Sequence, residues 1–309
     1  MKGRQRKSSD YRAPRTSCPL CGSAVIGPRY RIARYARPFT VDRCAACGFM
    51  FMNPIFSEKT IQELYAREYY TGEADYSYQD ERAIEPFAMH VWRARMKRIS
   101  RWAPPGNFLD VGAAFGGLMK AAARHFTPYG IELSEYSGKH ALSLFPGRVH
   151  IGTLENHPFE AGFFSAITMI ELIEHLPDPA TAVAECFRLL GPGGLLVVQT
   201  ANMEGRQARV LGDRYEYFMP GHLSYFSMEN LTGLLKRCGF ARVKVFYPVE
   251  FGLVPKLRKS RQAFRTFADY RAWLRISWYH AKSKVRCGRF AMTSSMVVFA
   301  MKPGPSGDE

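Results

Sequence analysis

Acidic residues are scarce in this 309-residue chain: 27 Asp and Glu stand against 43 Lys and Arg, for a formal net charge of +16. No apolar run approaches the roughly 20 residues that span a bilayer, which excludes a transmembrane helix. The basic opening Met1–Asp10 is followed by no apolar stretch of the kind a secretory signal carries. The expected location is therefore cytoplasmic, with any membrane contact peripheral and at the inner face. No internal repeat or low-complexity tract is present. The seven cysteines build no disulfide framework, because four of them sit in two tight pairs. Of the others, Cys186 and Cys238 fall in apolar helical patterns that suit small core residues, and Cys287 is isolated.

The excess positive charge is concentrated. Residues 1–37 carry ten Lys/Arg and one acid, and residues 255–290 carry eleven and one, leaving the rest near neutral. Such segments serve either as solvated faces or as contacts for an anionic partner. In 255–290 the charge is interleaved with Phe267, Tyr270, Trp273, Leu274 and Trp278 near helical spacing. That pattern fits an anionic membrane surface, a lid, or an RNA contact through phosphates and stacking.

The middle of the chain alternates strand and helix. Strands are expected at 107–111, 128–132, 148–152, 164–169 and 194–200, and helices at 116–125, 135–144, 179–190 and 227–238. Val243–Pro248 and Ser295–Met301 read as two closing strands around a helical insertion. This is the signature of an α/β fold: a Rossmann-like, doubly wound seven-stranded sheet, mostly parallel with a final antiparallel strand. Five further regions complete the expected organisation: a disordered basic tail (1–16), a ribbon carrying the cysteine pairs (17–56), a helical linker (57–102), the sheet domain (103–250 and 291–302) with its basic aromatic insertion (251–290), and a short tail (303–309). Within the linker, Ser57 caps a helix over 57–70.

Cys18-Pro-Leu-Cys21-Gly22 and Cys44-Ala-Ala-Cys47-Gly48 are two C-x-x-C-G knuckles. Together they offer four thiolates for a closed tetrahedral site, which suits structural Zn²⁺. So small a ribbon has too little core to fold without its metal. A redox role would call for one such pair beside a thioredoxin-like unit, and none is present.

The most informative stretch is Phe108-Leu-Asp-Val-Gly-Ala-Ala-Phe-Gly-Gly117, followed by Tyr129-Gly-Ile-Glu-Leu133. A buried strand runs into a glycine turn and a helix, and a second strand ends in an acid able to grip ribose hydroxyls. A nicotinamide fingerprint wants G-x-G-x-x-G. Here Ala114 occupies the second glycine position, which disfavours a pyrophosphate pressed against the turn.

On these residues the chain resembles the class I S-adenosylmethionine-dependent methyltransferases. Asp110, Gly112 and Gly116 match the family's first motif, Glu132 the ribose-binding acid of the second, and Glu171-Leu-Ile-Glu-His-Leu-Pro-Asp-Pro179 the fourth. Gly191-Pro-Gly-Gly194 matches the turn before the fifth strand. The resemblance implies S-adenosyl-L-methionine as cofactor, held by Asp110, Gly112, Ala113, Ala114, Gly116, Glu132, Leu133, Thr153, Leu154 and Glu171. With Cys47-Gly-Phe-Met-Phe-Met-Asn-Pro54 and Pro220-Gly-His-Leu-Ser-Tyr-Phe-Ser227, the chain is further similar to bacterial zinc-ribbon methyltransferases of saccharides and other small metabolites. Gly221 stands where sugar C-methyltransferases of related build carry glutamate.

Methyl transfer to a hydroxyl needs alignment and a base for the acceptor proton. His175 follows the fourth strand and His222 the fifth, both on the carboxyl edge where ligands bind, so these two are the candidate bases. A histidine in such a loop can equally cap or pack it. Tyr69, Tyr70 and Tyr225 are candidate walls of the acceptor pocket. The expected function is methyl transfer to a small-molecule acceptor, a hydroxyl of a saccharide or lipid-linked metabolite. The rival functions are RNA base methylation, with the ribbon and basic segments on RNA, and a non-enzymatic module. The Asn/Asp-Pro-Pro-aromatic motif of base-methylating relatives is replaced here by Glu171–Glu174, and an intact Asp110, Gly112 and Glu132 speak against the module.

Overall fold

The computed structural model describes residues 10–65, 69, 80–247, 254–255, 257–258, 266–282, 286–287, 290–291 and 295–304. The expectations for residues 1–9, Tyr70, the polar stretch 71–79, much of the basic insertion and the tail 305–309 lie outside these residues.

After the first cysteine pair come three antiparallel strands, β1 (Ile26–Ile32), β2 (Phe39–Cys44) and β3 (Met50–Met52), and helix α1 (Glu58–Leu64). The Ser57 hydroxyl accepts from the Thr60 N–H, as a helix cap should. A 3-10 turn at Glu81–Ile84 leads into α2 (Glu85–Ile99). Then the alternation begins: β4 (Asn107–Val111), α3 (Gly117–Ala122), β5 (Thr127–Glu132), α4 (Glu135–Leu144), β6 (Val149–Ile151), β7 (Phe164–Ile170), α5 (Pro179–Leu189) and β8 (Leu190–Ala201). The chain continues through α6 (Arg206–Leu211), β9 (Ser224–Tyr225), α7 (Met228–Arg237), β10 (Arg242–Phe246), α8 (Phe267–Lys282), the short pair β11 (Arg286–Cys287) and β12 (Phe290–Ala291), and β13 (Ser295–Met301).

The central sheet has seven strands in the order β10-β13-β8-β7-β4-β5-β6. β13 runs antiparallel to both of its neighbours, while β8, β7, β4, β5 and β6 pair in parallel. The expected mixed seven-stranded sheet with one final antiparallel strand is borne out. Alternation along the strands feeds two cores. Leu109, Val111, Leu196, Val198 and Met296 face α5 and α7 on one side. Phe108, Leu195, Val197, Val297 and Phe299 face Trp92, Met96 and Ile99 of α2 on the other. The glycine turn expected ahead of the fifth parallel strand lies within β8: pairing jumps from Phe164↔Leu190 to Ala166↔Leu195, so Gly191–Gly194 bulge out of the ladder.

The ribbon is woven into the sheet domain. β3 pairs with β9, Met50 opposite Tyr225 and Phe51 opposite Ser224, so a strand from the loop after β8 completes the ribbon's four-stranded sheet. Leu20, Phe49 and Phe51 share one core with Val111, Phe226 and Leu231. From α7, Asn230 Nδ2 donates to the Cys47 carbonyl at 2.9 Å and Arg237 donates to the Leu20 carbonyl at 3.1 Å.

Candidate active site

The turn between β4 and α3 is backbone architecture. Gly112 and Gly116 have φ of +81° and +79°, and Gly116 is the N-cap of α3. Ala114 holds φ of +45° between them, a conformation that costs a non-glycine residue on the order of 1 kcal/mol. The strain is held in place by Glu132. One carboxylate oxygen accepts from the Ala114 N–H at 2.8 Å and the other from the Ser134 N–H at 2.9 Å. Glu132 is 6% exposed, at the end of β5 beside the turn. The acid and the turn are therefore one unit.

Asp110 is buried beneath this turn and accepts from the Thr168 hydroxyl at 2.7 Å. Burial pushes its carboxyl up to about 7, against the lowering pull of the Thr168 hydroxyl and the Arg95 charge. A cleft opens above it, lined by Arg82, Trp92, Arg95, Asp110, the turn residues Gly112–Phe115, and Ile170. Arg82 lies 3.9 Å over the Phe115 ring, and Arg82 is paired with Asp80. Leu133 is exposed, Thr153 is exposed, and the Leu154 side chain turns into the core. A direct side-chain role for Leu154 is thereby replaced by a packing one.

On the other side of the carboxyl edge lies a chain of hydrogen bonds. Arg95 donates to Gln199 Oε1, Gln199 Nε2 donates to Glu171, and the Tyr217 hydroxyl reaches both Glu171 and Glu174. Glu171 is exposed with φ of +52°. Glu174 is fully buried, and burial followed by the Glu171 charge raises its carboxyl well above the ordinary range. The His175 and His222 rings meet at 4.6 Å between centroids, and the Tyr217 ring lies tilted against His222 at 4.2 Å. His175 Nδ1–H donates to the Gly221 carbonyl at 2.9 Å, with the Tyr65 hydroxyl 2.6 Å from the same nitrogen. His222 Nδ1–H donates to the Tyr217 carbonyl at 2.8 Å. Burial holds His175 down to about 4 and His222 well below its usual value, so both rings are neutral near pH 7. The Tyr69 phenol is raised by burial and by the charges of Glu132 and Glu174, and its ring meets that of Tyr65 edge-on at 5.2 Å.

The four knuckle cysteines converge. Cys18 and Cys47 Sγ are 3.7 Å apart, Cys21 and Cys44 Sγ 3.6 Å, and all four sulfurs lie within 4.8 Å of one another. Tetrahedral zinc with Zn–S bonds of about 2.3 Å puts its sulfurs about 3.8 Å apart. The Gly22 and Gly48 N–H groups donate back to the Cys18 and Cys44 carbonyls, closing each knuckle. The donor set fits the metal.

Residues 83–245 match the family model described as "Methyltransferase domain". The chain belongs to this methyltransferase family. It is 40% identical over 103 residues to a "Ubiquinone biosynthesis O-methyltransferase" of Aromatoleum aromaticum, covering 30% of this chain and 43% of the relative. It is 31% identical over 174 residues to the protein of the same name from Paracidovorax citrulli, covering 52% of this chain and 73% of the relative. The chain spans about two fifths of the length of several curated relatives it matches. Among solved structures, Haemonchus contortus phosphoethanolamine N-methyltransferase 2 in complex with S-adenosyl-L-methionine superposes with a TM-score of 0.50. That likeness, at 16% identity, covers 82% of this chain and 63% of that one, and it concerns the fold.

In this methyltransferase the structure brings Asp110, Gly112, Ala113 and Ala114 to one cleft, holds Glu132 against the Ala114 N–H of that turn, and brings His175 and His222 together with Glu174. Tyr225 is buried, and its hydroxyl donates to the His222 carbonyl at 2.8 Å. It supports the loop and is not a pocket wall. Sequence reasoning missed Arg82, Trp92, Arg95, Gln199 and Tyr217. Arg95, a buried arginine in a segment that otherwise reads as an amphipathic helix, was the one available signal.

Proposed function

We propose that this methyltransferase moves a methyl group from S-adenosyl-L-methionine to a hydroxyl of a small-molecule acceptor, a saccharide or lipid-linked metabolite. The observation that carries it is a juxtaposition. The Glu132-pinned turn lies on the sheet edge that also carries the neutral His175–His222 pair, with Tyr65 and Tyr69 packed beside His175. The cofactor, when bound, supplies a sulfonium methyl whose carbon–sulfur bond breaks with its electron pair left on sulfur. Glu132 would hold its ribose, and Arg95 or Arg82 in the cleft would face its carboxylate. With Nδ1 committed to a carbonyl, His222 keeps the Nε2 lone pair to take the acceptor proton as the oxygen–carbon bond forms. The related O-methyltransferases support a hydroxyl acceptor. The four cysteines would hold a structural zinc that fixes the ribbon and, through β3 and β9, the His222 loop. Radiolabelled methyl transfer to hydroxylated acceptors, with proton inventory at the product oxygen, tests this; labelling of RNA instead would overturn it.

We further infer peripheral contact with anionic lipid through α8, at the inner membrane face of the cytoplasm. Phe267, Tyr270, Leu274 and Trp278 are all exposed along one stripe, with Arg271 and Arg275 beside it. Among the described residues no helix is long and apolar enough to cross a membrane. Flotation with anionic but not neutral liposomes is expected, and no flotation would remove the contact.

A further inference from the structure

Glu174 and the two histidines have a feature that proton transfer leaves unexplained. Glu174 is 0% exposed, and the Tyr217 hydroxyl occupies its Oε1. Its Oε2 is buried without a well-formed hydrogen bond, its polar neighbour being the buried Thr200 hydroxyl, which makes no well-formed bond of its own. One ring nitrogen each of His175 and His222 and a carboxylate oxygen of Glu174 lie within 4.8 Å of one another. Both histidines are pre-oriented in the way metal-binding histidines are, with Nδ1–H held by a backbone carbonyl, Gly221 for one and Tyr217 for the other. Tyr217 does the same for the carboxylate. The backbone fixes the arrangement as well: the Leu223 N–H donates to the Glu174 carbonyl at 2.7 Å, and the Met52 N–H donates to the Leu223 carbonyl at 2.9 Å.

We propose that Glu174, His175 and His222 form a second metal site, distinct from the cysteine cluster, for a divalent first-row transition-metal ion. Two imidazoles and one carboxylate suit Mn²⁺, Fe²⁺, Co²⁺ or Zn²⁺, and three protein ligands leave coordination positions open. An ion there satisfies the orphaned Glu174 oxygen and neutralises the buried carboxylate. The role of the ion deepens the methyl-transfer reading and rests on it. An acceptor hydroxyl bound at an open position loses its proton to water, and the resulting oxygen forms its bond to the methyl carbon as the carbon–sulfur bond breaks. With its Nε2 on the ion, His222 gives up the role of base, so this proposal keeps the methyl-transfer reading and replaces the proton acceptor assigned in it.

Mn²⁺ is the discriminating probe, because it favours oxygen and imidazole donors and leaves a thiolate site to zinc. The full zinc-loaded chain is titrated with MnCl₂, and the free Mn²⁺ signal is followed by electron paramagnetic resonance. Loss of about one equivalent of free signal is expected, with weakening of about tenfold or more in His222→Gln and in Tyr217→Phe, which removes the outer hydrogen bond to Glu174 together with those to Glu171 and the Ala201 N–H. An unchanged free-Mn²⁺ signal in the wild-type chain overturns the site. So does equal binding in the wild type and both variants. Calorimetry of S-adenosyl-L-methionine on the same samples separates the two ideas. Cofactor binding without Mn²⁺ binding sinks the metal and leaves methyl transfer, and the converse sinks the methyl-transfer reading alone. If His222→Gln does not fold, the wild-type titration and Tyr217→Phe decide.

Discussion

Replacing Glu132 by glutamine keeps the shape of the side chain and removes one acceptor. In the native chain both carboxylate oxygens accept backbone N–H groups, from Ala114 and from Ser134. An amide offers one oxygen and one NH₂, so one of these buried N–H groups must face a donor. Leaving it unsatisfied costs about 1–3 kcal/mol of stability. If the same carboxylate grips two ribose hydroxyls, each charge-assisted bond contributes about 1.5 kcal/mol at the low end, and together they correspond to roughly 150-fold in affinity. Isothermal calorimetry with S-adenosyl-L-methionine should therefore show binding weakened by about two orders of magnitude in Glu132→Gln. Circular dichroism should show a folded protein with a lowered melting temperature. Affinity within threefold of wild type in a folded variant would refute the assignment of Glu132 to the cofactor and leave it only as a clamp for the turn.

Three further outcomes follow from the packing. In Gly117→Ala, a Cβ would sit 2.3 Å from the Trp92 ring, so overpacking of about 1–3 kcal/mol is expected. Urea denaturation followed by Trp fluorescence checks it, and an unchanged midpoint would contradict the packing of α2 on α3. The Asp110 carboxyl is raised to about 7 in the folded chain. The folded state therefore holds a proton that the unfolded chain releases near pH 4, and this contribution is lost as pH rises from about 4 through 7. Asp110→Asn keeps the acceptor for Thr168 and removes that slope, so its stability should gain on wild type by a few kcal/mol at most between pH 4 and pH 8. Parallel stability curves for the two proteins would refute the burial argument. If the four cysteines hold the proposed zinc, a strong chelator, or Cys44→Ser, should loosen β3 and with it β9. Hydrogen exchange should rise at Leu223–Tyr225 as well as in the ribbon, and protection confined to its native level at β9 would show the two to be independent.

The seven-stranded sheet was legible because central strands covered on both faces are predominantly apolar and the helices between them amphipathic. Phe108–Val111, Phe164–Ile170 and Ser295–Met301 carry that pattern openly. The shorter helix at Gly117–Ala122 and the strand that begins at Leu190 were less legible, since helix ends and a bulge at Gly191–Gly194 depend on neighbours and not on local periodicity. β9 is two residues long and has no periodicity to read at all. It exists because β3 presents an unpaired edge to it.

By itself the sequence determined the glycine turn at 112–116, the acid at Glu132, the clustering of the four cysteines and the family, because each is a local spacing that the backbone must honour. Only the tertiary structure decided that Glu132 and the turn are one hydrogen-bonded unit, and that Arg95 and Gln199 connect the cofactor cleft to Glu171. It also decided that Glu174 is buried against two histidines, one next in sequence and one 48 residues further on. The physical reason is that burial and orphaned polar atoms are properties of packing between distant segments. Glu174, His175 and His222 meet only because the β3–β9 pairing folds the loop after β8 back onto the loop after β7.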